Sequence, residues 1–165
     1  MDFDTLYRSH YARVLGLCMR LLRRATQAED AAQEVFVRAY RTLERYDDSQ
    51  PFAAWVLGIA SNHCIDLLRR RTREAKLFDE EAIEAEATGT PAPDALIDAE
   101  RDAQVRAAIA ALPDNYRLPI VLAYYNESSY DEIAEVLGIT RNHVGVLLLR
   151  AKHALRRALA GQEDS

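Results

Sequence analysis

The apolar periodicity that runs through the first 76 residues stops at Leu77, and this break limits the chain to two small folding units in place of one large one. From Phe78 the sequence reads FDEEAIEAEATGTPAPD, which is acidic, small-sided and punctuated by Pro91 and Pro93. A stretch with no sustained apolar face cannot bury enough surface to order itself, so residues 77–93 are expected to be a flexible acidic linker, with at most a helical turn at its start. The domains on either side are then 1–76 and 94–165. Long Ala/Leu/Glu/Arg runs with only 6 Gly and 5 Pro argue that both are helical, and 49% hydrophobic with 28% charged residues is a globular composition. The expected fold class is all-α.

The first domain reads as three helices. Phe3 to Arg23 places Leu6, Val14, Leu17, Cys18, Leu21 and Leu22 on one face. Thr26 and Glu29 have the spacing of a capping box and should start the second helix, which buries Ala28, Ala32, Val35, Phe36, Ala39 and Leu43. Its outward positions are Asp30, Gln33, Val37, Arg38 and Arg41. The run Tyr46–Gln50 is a turn, and Pro51 suits the first position of the third helix.

That third helix carries two stripes. Phe52, Val56, Ala60, Cys64 and Leu67 can face a core, while Trp55, Asn62, Asp66, Arg69 and Arg73 fall along another line. Rings stack on unpaired bases, amides bond base edges and arginines hold phosphates, so the second stripe has the chemistry of a nucleic-acid surface. The same residues also suit a core tryptophan followed by a solvated basic helix end.

In the second domain one helix runs through Leu96, Ile97, Val105, Ile109 and Leu112 and stops at Pro113. The next spans Asp114 to Tyr125, with Pro119 pushing its true start later. Ser129 and Glu132 form a capping box, Ala134 is small where helices would cross, Gly138 permits a turn, Thr140 caps the last helix and Val144 anchors it. This is the spacing of a helix-turn-helix, whose second helix enters the major groove.

The net charge of −5 does not exclude DNA. Residues 77–102 carry −8 of it, which leaves the remainder at +3, with bases concentrated at Arg69–Lys76 and Arg150–Arg157. Cys18 and Cys64 lie inside apolar patterns without C-x-x-C spacing and are expected to be reduced and buried. His10, His63, His143 and His153 are scattered, and no glycine-rich phosphate loop or nucleophile motif occurs, which argues against an enzyme, a metal site or a cofactor. No basic leader and no apolar run of membrane-spanning length occurs, so a cytoplasmic protein without membrane insertion is expected.

Four motifs in order carry a family resemblance: AEDAAQEVFVRAY (Ala28–Tyr40), WVLGIASNHCIDLLRRR (Trp55–Arg71), LPDNYR (Leu112–Arg117) and SYDEIAEVLGIT (Ser129–Thr140). The chain resembles the extracytoplasmic-function (ECF) branch of bacterial sigma factors over nearly its whole length. The resemblance implies a non-catalytic subunit that binds core RNA polymerase and directs it to promoter DNA through the −10 and −35 elements. Asp30, Gln33 and Phe36 match the family's Asp-x-x-Gln-x-x-Phe pattern, so Asp30, Gln33 and Arg41 are expected to touch polymerase while Phe36 holds their helix. For the −10 element the implied set is Trp55, Asn62, Asp66, Arg69, Arg70, Arg71 and Arg73, with Asn62 near the pocket for a flipped base and the arginines on the backbone. Trp55 has two places open to it, a base or the core.

For the −35 element the resemblance implies Arg117, Tyr130 and Asp131 at phosphates, and Arg141, Asn142, His143, Arg150 and Lys152 on the recognition helix. Here the chain departs from its relatives: His143–Leu147 reads HVGVL where many carry a run like TVKSR, so direct base readout should be thinner. Leu147, Leu148 and Leu149 could alternatively serve a protein partner. An anti-sigma factor is an implied partner. The competing reading is a helix-turn-helix regulator with no role as a polymerase subunit.

Overall fold

The computed structural model describes residues 2–71 and 102–163, and all regular structure among them is helical. The chain divides into two compact units, Met1–Ala75 and Lys76–Ser165. The linker expected over 77–93 and the start expected for the second domain at 94 lie outside the described residues.

The first unit is built from α1 (Phe3–Leu22), α2 (Ala25–Arg41), a 3₁₀ turn (Leu43–Arg45) and α3 (Phe52–Arg71). The Asp2 carboxylate accepts from the Asp4 N–H and caps α1. At its other end Arg23 takes a left-handed conformation (φ 69°) and donates its N–H to the Met19 carbonyl at 2.8 Å. This sharp stop leaves only two residues between helices. By the time the chain reaches Thr26, α2 has already begun: the Ala28 N–H bonds to the Arg24 carbonyl at 2.9 Å. The expected Thr26–Glu29 capping box therefore does not form, and Arg24 opens the helix with no side-chain cap. Pro51 stands just before α3, and its carbonyl accepts the first helical bond from Trp55.

All three helices pack on one another. The six expected apolar residues of α1 are buried, and α2 contributes Ala28, Ala31, Ala32, Val35, Phe36 and Ala39. The alanines let the helix axes approach. Leu43 is only half-buried. Helix α3 lies against both others, so its buried arc is wider than one stripe. It takes in Leu57, Ser61, His63, Ile65 and Leu68 beside Phe52, Val56, Ala60 and Cys64, while Leu67 is half-exposed. Ser61 satisfies its hydroxyl on the Leu57 carbonyl at 2.9 Å. The two free thiols, Cys18 and Cys64, are fully buried. The Cys18 sulfur, which takes a hydrogen bond from it, and burial together push the Cys64 thiol well above the ordinary range.

The second unit comprises α4 (Asp102–Ala111), α5 (Asp114–Ile120), a π turn (Val121–Tyr125), α6 (Tyr130–Leu137) and α7 (Arg141–Glu163). Pro119 does not delay α5, which starts at Asp114 and carries the proline inside it. Proline has no N–H to return to the turn before it, and the helix loosens immediately afterwards: Asn126 N–H reaches back to the Val121 carbonyl at 3.1 Å, five residues away. The helix-turn-helix forms as its sequence signals require. Glu132 N–H donates to Ser129 Oγ at 3.1 Å while Ser129 N–H donates to Glu132 Oε1 at 2.7 Å. Gly138 adopts φ 70°, ψ 36°, a conformation that penalises any side chain. His143 N–H then donates to Thr140 Oγ1 at 3.0 Å, and Val144 is fully buried beneath the turn.

His63 generates a pH test. It is 8% exposed, and burial, followed by the Arg38 charge, holds its pKa below the ordinary 6.5, against the weaker pull of Glu34 and Asp66. The unfolded chain therefore binds a proton near pH 6.5 that the folded chain refuses. Its contribution to stability is present above that pH and lost as pH falls through the folded value. Urea midpoints between pH 8 and 5 should fall more steeply for the native protein than for His63→Leu; superimposable slopes would contradict this.

Candidate polymerase and nucleic-acid surfaces

Helix α2 has one face to spare. Asp30, Gln33, Arg38 and Arg41 are exposed, whereas Phe36 is only 3% exposed and anchors the helix. Phe36 sits in a ring cluster with Phe3, Tyr7 and Tyr11, the nearest centroid being that of Tyr7 at 4.8 Å. Phe3 in turn meets Tyr40 at 5.1 Å, and Gln33 Nε2 donates to Tyr7 Oη at 3.4 Å. The result is a hollow of about 450 Å³ in which Val37 and Tyr40, 40% and 65% exposed, present apolar surface between Gln33 and Arg41. Tyr40 is a member of this surface that periodicity alone did not single out. Its signal was its place one turn beyond Phe36 and Val37.

Helix α3 offers the second surface. Trp55 is half-buried, 5.2 Å from the Tyr46 ring and 5.7 Å from Phe52, so its place is in an aromatic cluster at the start of α3. Asn62, Asp66, Arg69, Arg70 and Arg71 are exposed. Asn62 Nδ2 donates to the Gly58 carbonyl at 3.0 Å, and Arg71 donates to Gln27. Arg73 lies outside the described residues. The turn before α3 was read only as a helix stop, yet it is built. Asp47 accepts from Ser49 N–H and Oγ at 3.0 and 2.7 Å, which holds its carboxyl below the usual carboxylate range, and Tyr46 Oη donates to the Gln50 carbonyl. Tyr46, Asp48, Phe52 and His10 line a hollow of about 560 Å³, with Leu6 and Leu43 as its floor. The His10 ring lies 5.0 Å from Phe52. A cavity with rings on its wall and a carboxylate at its rim suits a flat heterocycle bearing donors.

The third surface is the helix-turn-helix, and here the structure redistributes the expected residues. Tyr130, Asp131, Arg141 and Asn142 are exposed, and Arg150 is half-buried. Three others are turned inward. Arg117 is 1% exposed, pairs with Asp114 at 2.6 Å and donates to the Leu112 carbonyl at 3.3 Å, so in this structure it secures the start of α5. His143, 6% exposed, and Lys152, 8% exposed, flank the core face of α7 set by Val144, Leu148 and Ala151. Lys152 Nζ stands 5.1 Å from the Tyr124 ring centroid. Leu147 and Leu148 are core residues as well, so only Leu149 of the leucine run remains open to a partner, and then only half-exposed. On the open face Gly145 and Val146 leave α7 without a base or hydroxyl in its second turn. Among the described residues no cluster of His, Cys, Asp and Glu could hold a metal, and no helix is long and apolar enough to cross a membrane.

Comparison with known proteins gives matches across both units. The family described as Sigma-70 region 2 matches residues 6–74, and Sigma-70, region 4 matches residues 102–155. The ECF RNA polymerase sigma factor SigW of Bacillus subtilis (strain 168) is 35% identical in an alignment that covers 96% of this chain and 87% of SigW. The RNA polymerase sigma-H factor of Pseudomonas aeruginosa is 31% identical, over 95% of this chain and 86% of that protein. Among solved structures, the sigma factor RpoE of Bartonella quintana, crystallised with the anti-sigma factor NepR, is similar in fold. Its TM-score is 0.65 at 21% identity, over 96% of this chain and 97% of RpoE. CnrH, solved with the cytosolic domain of CnrY, aligns with a TM-score of 0.60 at 25% identity, over 96% of this chain and 88% of CnrH.

The burial of Arg117 separates folding from contact. Arg117→Ala removes a buried guanidinium with its ion pair to Asp114 and its bond to the Leu112 carbonyl and opens a void, so it should destabilise the second unit by about 3 kcal/mol in chemical unfolding. Unchanged stability together with weaker binding to duplex DNA would show that the guanidinium does turn outward.

Proposed function

The chain belongs to the ECF branch of the sigma-70 family of RNA polymerase sigma factors, and from that premise we propose how its surfaces divide the work of promoter recognition. It is a transcription initiation factor and not an enzyme. The exposed face of α2 binds core polymerase. Asp30, Gln33 and Arg41 supply the polar contacts, Val37 and Tyr40 the apolar ones, and Phe36 keeps the face rigid from beneath.

The turn 46–50 and the start of α3 receive the −10 element as it unpairs. Extruding a base forfeits a few kcal/mol of stacking and pairing, and a hollow walled by Tyr46 and Phe52 recovers it by stacking on the displaced ring. Asn62, nearly three turns further along α3, has one amide hydrogen committed to Gly58 and a carbonyl oxygen for a base amine. Arg69, Arg70 and Arg71 hold the backbone beyond it, with Arg73 continuing the series. Trp55 supports the hollow from behind through its contacts with Tyr46 and Phe52. The observation that carries this reading is that one small unit, matched by region 2, exposes a polar and apolar α2 face together with an aromatic and basic α3 face.

The second unit reads duplex −35 DNA. Tyr130 and Asp131 begin α6, Arg141 and Asn142 begin α7, and Arg150 lies two turns along. Arg117, His143 and Lys152 act from within by holding these helices in place. A helix-turn-helix regulator without a polymerase role would have no use for the region 2 unit, so that alternative is set aside. We further propose cytoplasmic action with polymerase, and an anti-sigma factor as a partner, since two proteins of similar fold have been solved with such partners or with a partner's cytosolic domain.

Two groups of variants should separate the surfaces. Asn62→Ala and Tyr46→Ala should each weaken binding of the holoenzyme to single-stranded −10 DNA by about tenfold, with core polymerase affinity unchanged in fluorescence anisotropy. Arg41→Glu should do the reverse. Loss of polymerase binding in Asn62→Ala would count against the assignment of α3 to DNA.

A further inference from the structure

Arg141, the first residue of α7, is held twice by the first turn of α6. Its Nη1 lies 3.0 Å from Asp131 Oδ1, and its Cζ stands 5.6 Å from the centroid of the Tyr130 ring. The same ring extends along α7: a Cβ placed on Gly145 would come 3.7 Å from Tyr130 Cε2. Two consecutive residues of one helix thus bracket the opening turn of the other. As an isolated ion pair the Asp131–Arg141 contact would count for little, because the side chains are 76% and 64% exposed. Its significance is geometric. A carboxylate fixes one edge of the guanidinium while the ring restrains its position, so a long side chain of many rotamers is reduced to few. The remaining N–H groups stay open to solvent beside Asn142.

An acid in the first turn of α6 suits the positive end of the helix dipole, but it carries a cost on a face that meets DNA. The start of α6 in a helix-turn-helix approaches the DNA backbone, and a carboxylate there repels phosphate unless a cation neutralises it. We propose that Asp131 is a positioning residue that sets promoter selectivity: it holds Arg141 as a fixed fork for a base edge of the −35 element, and withholds it from indiscriminate phosphate contact. The inference rests on the second unit reading duplex DNA. A pre-oriented guanidinium can bond a guanine edge through two parallel N–H groups, a geometry that a freely rotating one adopts only part of the time. Asp131 therefore weakens binding to all DNA slightly and strengthens discrimination among sequences. That also supplies what the second turn of α7 lacks, since Gly145 and Val146 offer no hydrogen bond to a base.

The test uses the full chain assembled with core polymerase. A −35 element is first selected from random duplexes with the native holoenzyme. Native protein, D131N, R141A and the double variant are then titrated with the selected and with a scrambled duplex at several salt concentrations. D131N should bind scrambled duplex more tightly, with a salt slope steeper by about 0.9, as one more cation reaches phosphate. Its preference for the selected over the scrambled duplex should fall by about tenfold. In the R141A background D131N should leave that preference unchanged. Equal gains on both duplexes in both backgrounds would reduce Asp131 to simple repulsion and overturn the proposal. A native holoenzyme that selects no −35 element would instead overturn the reading of the second unit, and this inference with it.

Discussion

Each unit of this protein has a single small core, and every helix must give at least one face to it. Function is left to whatever arc remains. In the first unit, α3 packs against both α1 and α2, so nine of its residues from Phe52 to Leu68 are buried. What remains exposed is Ala54, Asn62, Asp66 and the closing arginines. Helix α2 keeps a wider free arc because its buried face is largely alanine, which fills little of the helix surface. The polymerase face and the promoter face are thus set by the same packing, and a lost core contact would misplace both.

The same constraint explains why some of the site was legible in the sequence and some was not. Periodicity located the buried residues of α1 and the outward residues of α2, because each of these helices has one dominant buried face and a clear polar complement. Local chemistry located the helix-turn-helix, since Ser129, Glu132, Gly138 and Thr140 act on their own neighbours and need no distant partner. The Thr26–Glu29 box had the same spacing and did not form, because the left-handed turn at Arg23 starts α2 before Thr26 is reached. Pro119 misled in a similar way: a helix can hold a proline when the following turn widens.

Arg117, His143 and Lys152 were the residues least open to sequence reasoning. All three are polar, so a sequence pattern places them outside. Their burial depends on partners brought by the fold: Asp114 for Arg117, the Tyr124 ring for Lys152, and the flank of the α7 core face for His143. Helix α7 packs on α4, α5 and α6 together, which widens its buried arc until it includes positions that a single stripe would leave in solvent. The hollow beside the Tyr46–Gln50 turn, unlike the turn itself, is hidden from the sequence for the opposite reason. It is assembled from α1, the 3₁₀ turn and α3, and no contiguous stretch announces it.

Charge follows the same economy of surface. In a chain with net charge −5, the exposed Arg69, Arg70 and Arg71 concentrate positive charge at the end of α3, and Arg69 lies on the stripe that carries Asn62. The most direct test of the account is transcription in vitro from fragmented genomic DNA with purified core polymerase, with and without this protein, followed by sequencing of the 5′ ends. New discrete start sites that share two upstream elements are predicted, one for each helical unit. No new start sites, or start sites that share no upstream element, would contradict it.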